Sequence, residues 1–293
     1  RYYSNVFPTV NTLSFPGGVA ITAMSAITYG NGALVAGATG SDRKVYVWRY
    51  RGGTWSQPRA VGTDAGSKPV LIYLGAGRFD LFWINTSGRL LRKRFRNNAW
   101  QPGEKVLSGF QIDPQLFSSV SVASWGDGTI DMLVVNSETK GVFHRRFLSG
   151  PDPCTPEDCA APFKFVAVGG TSREDPVLSA FGPTDLNILA MRGLSWFSSD
   201  SLSGSGVSSS VSDSAEKVNW NPFVSIGGSE KVVGGTAHTG RGNFALIGGA
   251  EGIIYVNRNV NRRWTGFRRI VGQQLGTVYR RHTIIPSITS HGG

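Results

Sequence analysis

The chain has 293 residues, with 30 Lys and Arg against 19 Asp and Glu, a formal net charge of +11. A hydrophobic content of 40% and a charged fraction of 17% exclude a disordered chain. No run approaches the length of a transmembrane helix, and 39 Gly with 14 Pro argue against a helical bundle.

Read in chain order, short apolar runs recur between Gly, Asn, Asp and Ser. The first set is AMSAITYGNG (23–32), KVYVWRYR (44–51) and GGTWSQPRAVG (52–62). The second is KPVLIYLGAG (68–77), RFDLFWI (78–84), RLLRKRFR (89–96) and NNAWQPGEKVL (97–107). The third is SVSVASWGDG (119–128), TIDMLVV (129–135), GVFHRRF (141–147) and APFKFVAVGG (161–170). The fourth is DPVLSAFGPT (175–184), DLNILAM (185–191), GLSWFSS (193–199) and VNWNPFVSIGG (218–228). The fifth is VGGTAHTG (233–240), GNFALIG (242–248), GIIYVNR (252–258) and RRWTGFRRIVG (262–272). A Pro/Cys-rich loop (149–160) and a Ser/Gly run (199–214) lengthen two of the intervals.

Such runs are strands, since no helical period fits the same windows. In the 44–51 run, Tyr46, Trp48 and Tyr50 share one face while Val45 and Val47 share the other. A strand apolar on both faces belongs to a sheet covered on both sides. Four-stranded units of this kind stack radially as propeller blades. The predicted fold is an all-β propeller of about six blades in a single domain over 1–293. Its repeats lie at about 19–62, 65–107, 115–170, 172–228 and 230–272. PSITSHGG (286–293) reads as a first strand and VNTLSFPGG (10–18) as a fourth-strand tail. A composite closing blade from 274–293 and 1–18 follows, which removes an open sheet edge.

Three columns recur. The acidic one reads Asp80, Asp131, Asn187 and Asn243. Spread one per blade and half amide, it suits polar capping between blades rather than paired-carboxylate hydrolysis. The basic column reads Arg49, Arg94, Arg146 and Arg258, with Ser199 in the fourth repeat. It serves either pairing with the acidic column or anion capture by guanidinium forks. The aromatic column reads Tyr46, Leu91, Phe143, Trp196 and Tyr255, with Trp48 and Trp83 beside it. These rings are either blade packing or platforms for the apolar face of a sugar. Trp55, Trp100, Trp220 and Trp264 read as blade-core anchors.

The stretches 69–95 and 119–147 resemble the repeat of propeller lectins of the Photorhabdus lectin type. More distantly, the blade plan resembles the six-bladed fungal fucose lectins. The resemblance implies a non-enzymatic, multivalent carbohydrate-binding protein with shallow sites between blades. It implies no cofactor and no metal. Departures fall at the aromatic column, where that family carries Trp, and at Ile84, Val135, Met191 and Ile247, where it tends to carry Arg.

The ligand-facing candidates are Tyr46, Trp48, Arg49, Trp83, Arg94, Arg146, Trp196, Tyr255 and Arg258. The expected partners are glycans or glycoproteins, acidic ones included, since a basic protein attracts anions. Nucleic acid is disfavoured, because alternation splits RKRFR (92–96) between two faces. No catalytic residue is assigned. No metal site is expected either, because the four His are scattered and two Cys cannot complete a zinc site. Cys154 and Cys159 suit a small disulfide ring and Asn85-Thr86-Ser87 is a glycosylation sequon, both pointing to a secreted protein. Two other readings stand beside this one: a sialidase-like glycoside hydrolase on the same scaffold, and a protein-interaction propeller.

Overall fold

The computed structural model describes residues 17–29, 33–103, 105–106, 117–124, 129–148, 165–173, 175–182, 185–192, 195–200, 220–227, 234–239, 242–248, 254–260 and 263–269. They form five antiparallel sheets in chain order. Sheet 1 holds β1 (Ile21–Thr28), β2 (Leu34–Gly40), β3 (Val45–Arg51), β4 (Thr54–Trp55) and β5 (Arg59–Gly62). Sheet 2 holds β6 (Val70–Tyr73), β7 (Phe79–Ile84), β8 (Leu90–Arg96), β9 (Ala99–Trp100) and β10 (Lys105–Val106). Sheet 3 holds β11 (Phe117–Ala123), β12 (Thr129–Asn136), β13 (Gly141–Leu148) and β14 (Val166–Thr171). Sheet 4 holds β15 (Val177–Gly182), β16 (Asp185–Arg192), β17 (Ser195–Asp200) and β18 (Val224–Gly227). Sheet 5 holds β19 (Gly234–Thr239), β20 (Gly242–Gly248), β21 (Ile254–Val260), β22 (Arg263–Trp264) and β23 (Arg268–Arg269).

Every sheet is a meander, each strand pairing with the one before it. The leading strands β1, β6, β11, β15 and β19 lie beside one another in that order, so the sheets fan out around a shared inner side.

Local chemistry sets the corners. Between β3 and β4 the two turn residues are Gly52 and Gly53, with φ of 59° and 86°. Between β8 and β9 they are Asn97 and Asn98, at 50° and 60°. Two-residue hairpins favour a turn with positive φ at both positions, which Gly and Asn adopt most cheaply. The following Trp then pairs back onto the third strand, Trp55 opposite Tyr50 and Trp100 opposite Phe95. Those anchors therefore pack as expected.

Alternation distributes each strand between two interfaces. In β7 every residue is buried. Phe79, Leu81 and Trp83 pack with Val35, Val45 and Val47 of sheet 1. Phe82 and Ile84 pack with Phe117, Val120, Ile130, Met132 and Val134 of sheet 3. The same logic joins Leu133, Val135 and Val142 to Leu178, Leu186, Ile188 and Ala190 of sheet 4. Leu189 and Ile226 then meet Tyr255, Trp264 and Phe267 of sheet 5. Sheets 1 and 2 approach closely at Gly37, where a Cβ would lie 3.2 Å from Leu71 Cδ1.

Candidate ligand clefts between the sheets

One transverse rung can be followed through all five sheets. It is set three residues before the Gly that ends each first anchor: Gly30, Gly75, Gly126, Gly182 and Gly240. In sheet 1 the rung is Ile27–Val35–Arg49. In sheet 2 it is Ile72–Asp80–Arg94. In sheet 3 it is Ala123–Asp131–Arg146. In sheet 4 it is Ser179–Asn187–Asp200. In sheet 5 it is Ala237–Phe244–Arg258.

This register corrects three sequence assignments. Asn243 lies one residue outside the acidic column, and Phe244 takes the place. Ser199 pairs with Ile188, so Asp200 rather than Ser199 stands in the basic column. Trp196 pairs with Met191, one step off the aromatic column, which instead passes through Phe197 opposite Ala190. The cause is hairpin length. The β19–β20 and β16–β17 connections are each one residue shorter than their counterparts in sheets 1 and 2, which shifts spacing against register.

In sheet 3 the rung carries a closed polar cluster. Arg146 grips Asp131 at both oxygens, Nε to Oδ1 at 2.9 Å and Nη2 to Oδ2 at 3.1 Å. His144 Nε2 lies 2.9 Å from the same Oδ1. All three side chains are buried, and the His144 ring meets the Trp220 ring of sheet 4 edge to face at 5.3 Å. In sheet 2, Arg92 binds Asp80 Oδ2 through Nε at 2.8 Å and also through Nη2, while Arg96 Nη2 lies 3.1 Å from Oδ1. Arg92, Arg94 and Arg96 share one face of β8. Burial, with the like charges of Arg94 and Arg96, pulls the Arg92 guanidinium down to about 10 against the pull of Asp80. Asp80 and Asp131 thus lie in different clefts, each held by guanidinium side chains. They are not a catalytic pair, and the acidic column caps side chains rather than the backbone N–H groups expected.

Sheet 1 differs. Opposite Arg49 stands Val35, which is buried. The Arg49 guanidinium instead lies over the Phe95 ring of sheet 2, 5.0 Å from its centroid. Phe95 continues an aromatic chain. Trp100 meets it at 5.3 Å and Phe79 at 5.6 Å. Tyr29 of sheet 1 meets Phe79 edge-on at 4.9 Å, and Tyr73 lies 5.4 Å from Phe79. Arg49, Tyr29, Tyr73 and Trp100 are partly exposed, so this cleft joins a cation to accessible aromatic edges.

The remaining candidates fall as follows. Trp48 is 1% exposed and Trp83 0%, with the Trp83 indole N–H donating to the Thr63 carbonyl at 3.2 Å. Rings with no accessible face are packing residues. Tyr46 is buried, its hydroxyl donating to Asp42 Oδ2 at 2.7 Å, which holds the Asp42 carboxyl below its usual value and the phenol above its own. Tyr255 packs on Leu189 and Ile226 and is partly exposed. Arg94 is partly exposed, whereas Arg146 is buried against Asp131. Asn85 is partly exposed, and its Oδ1 accepts from the N–H groups of Ser87 and Arg89. Trp196 and Arg258 are placed through their backbone pairing alone. Cys154 and Cys159, His291, and the segments 1–16 and 270–293 lie outside the described residues. Among the described residues no group of three His, Cys, Asp or Glu is arranged to hold a metal ion, and no helix is long and apolar enough to cross a membrane. Sequence reasoning missed Tyr29, Tyr73 and Phe95 as cleft residues. Their only signal was an aromatic near each strand end.

No protein-family model and no curated protein matches the chain. Solved structures do. The fucose-specific lectin from Aleuria aurantia aligns with a TM-score of 0.58 and 11% identity over 87% of this chain and 80% of that one. The BP39L lectin from Burkholderia pseudomallei aligns at 0.60 with 14% identity, covering 85% and 70%. The Hadza microbial sialidase Hz136 aligns at 0.52 with 11% identity, covering 84% of this chain and 57% of that one. The chain therefore has the β-propeller fold, with the sheets as its blades. Of the two expected resemblances, the fungal fucose-lectin one matches these neighbours.

Proposed function

We propose that this protein is a carbohydrate-binding lectin whose ligand clefts lie between successive blades. The observation that carries this reading is the cleft of sheets 1 and 2. There Arg49, with its face on Phe95, stands beside the partly exposed rings of Tyr29, Tyr73 and Trp100. Sugars need both parts, apolar rings for the C–H face and fixed donors for the hydroxyls. Fucosylated glycans are the first ligands to try, because Aleuria aurantia lectin has been solved with Fucα1-6GlcNAc. In this reading the protein is secreted, about six blades close through strands from both ends of the chain, and several weak sites act together by multivalency.

The test is a glycan array probed with and without a chelator, followed by competition with free sugar. Retention that survives chelation and is competed by the monosaccharide supports the lectin. Turnover of a fluorogenic glycoside series, sialosides included, sinks it in favour of the hydrolase. Asp80 and Asp131 weigh against hydrolysis, since each is neutralised in a separate cleft.

A further inference from the structure

We infer that the cleft between sheets 1 and 2 recognises an anionic sugar, gripping its carboxylate or sulfate through the guanidinium of Arg49. The inference rests on the glycan-binding reading and names the ligand class of that cleft.

The rung comparison carries it. Arg49 and Arg146 hold the same place in two sheets. Arg146 faces Asp131 and is gripped at both oxygens. In sheet 2 the carboxylate at the same place is again filled, by Arg92 and Arg96. In sheet 1 the carboxylate is replaced by Val35. Among the described residues nothing takes over its role. Arg49 makes backbone bonds to Ser56 and the cation–aromatic contact, and its guanidinium has no hydrogen bond or ion pair. Contact with a ring occupies the flat face of a guanidinium and leaves its N–H edge directed outward. That edge fits planar or tetrahedral oxyanions with two parallel bonds. Partial burial removes competing water and raises the value of such a pair.

A second cation faces the same way. Lys93 shares its face of β8 with Leu91 and Phe95, the two residues packed toward sheet 1. No ion pair to Lys93 exists among the described residues either. A neutral sugar leaves this charge uncompensated. A ligand that brings its own carboxylate or sulfate completes the cluster that sheets 2 and 3 complete with aspartate.

The experiment uses the full chain on an array that prints each neutral oligosaccharide beside its sulfated and its sialylated or uronic-acid counterpart. At low ionic strength the acidic member is expected to be retained about tenfold better, and the margin to shrink in about 0.5 M salt. Arg49→Gln is expected to bring the margin within about twofold while neutral glycans stay as they were; Arg49→Lys keeps part of it. Val35→Asp supplies the aspartate of the other rungs and is expected to abolish the margin, its fold checked by circular dichroism. If Val35→Asp does not fold, Arg49→Gln decides alone. Whether sulfated or carboxylated glycans are retained identifies the source of the anion. Neutral binding with no acidic margin in the wild type, or a margin that Arg49→Gln leaves intact, overturns the anion site and spares the lectin. No retention of any glycan overturns both.

Discussion

The first and third sheets are built on the same rung and use it in opposite ways. In sheet 3, Asp131, His144 and Arg146 form a cluster closed on itself and sealed by Trp220. In sheet 1, Val35 makes the interface apolar and turns Arg49 outward onto Phe95. Taking charges out of water is costly, and a buried ion pair repays that cost only when every partner is present. The third sheet has spent its arginine on structure. The first has kept it for solvent or ligand. A recurring residue type in a repeat protein is thus not a recurring function; what stands opposite decides.

The largest effect should come from breaking the closed rung. Asp131→Ala leaves a buried guanidinium without its carboxylate and is expected to cost about 3–5 kcal/mol in chemical denaturation. Asp80→Ala should fall in the same range, since Arg92 is buried against it. If either substitution costs under about 1 kcal/mol, the closed clusters are not what holds sheets 2, 3 and 4 together. The apolar version of the rung should be milder. Val35→Ala removes two methyl-sized groups from a packed interface, about 1.5 kcal/mol, with sugar binding retained. Smaller still, Arg49→Gln should change stability by no more than about 1 kcal/mol, the scale of an exposed cation–aromatic contact, while altering ligand binding. A large loss of stability there would place Arg49 with the structural arginines and erase the contrast.

The smallest expected change is spectroscopic. The Tyr46 hydroxyl bonded to Asp42 holds the phenol above its ordinary value of 10.0 and the carboxyl below 3.8. The phenol's contribution is therefore full below pH 10 and is lost as pH rises through its raised value. The carboxyl's contribution is full above pH 3.8 and is lost as pH falls through its lowered one. In an ultraviolet titration one tyrosine should ionise later than the rest, and Asp42→Asn should bring it back. An unchanged titration curve would remove that bond from the account.

The fold was legible in the sequence because blades announce themselves at their corners. Gly52-Gly53 and Asn97-Asn98 mark tight hairpins, and the Trp two residues on marks the strand that returns. The two-faced pattern of 44–51 correctly separated Tyr46 and Trp48 from Val45 and Val47, which the structure puts in different interfaces. The site was less legible. Spacing along a chain counts residues, whereas register counts rungs, and a hairpin one residue shorter separates the two. That is why Trp196 was aligned with Tyr46, and Asn243 with Asp80. Nor does spacing show which partner an arginine meets. Arg49, Arg94 and Arg146 look alike in sequence, and their difference lies in Val35, Asp80 and Asp131 on another strand.

Because each charged rung faces the sheet that follows it in the chain, synthesis order acquires a meaning. Domains and their parts emerge from the ribosome in sequence, and freshly exposed apolar edges are where chains misassociate. Before sheet 3 has docked, the newest face of sheet 2 presents Asp80, Arg92 and Arg96 to water among its hydrophobic residues. A hydrated strip of charge discourages casual adhesion by foreign strands. Its release to a dry interface waits for the one surface shaped to receive it, so the same residues that fasten finished blades protect unfinished ones.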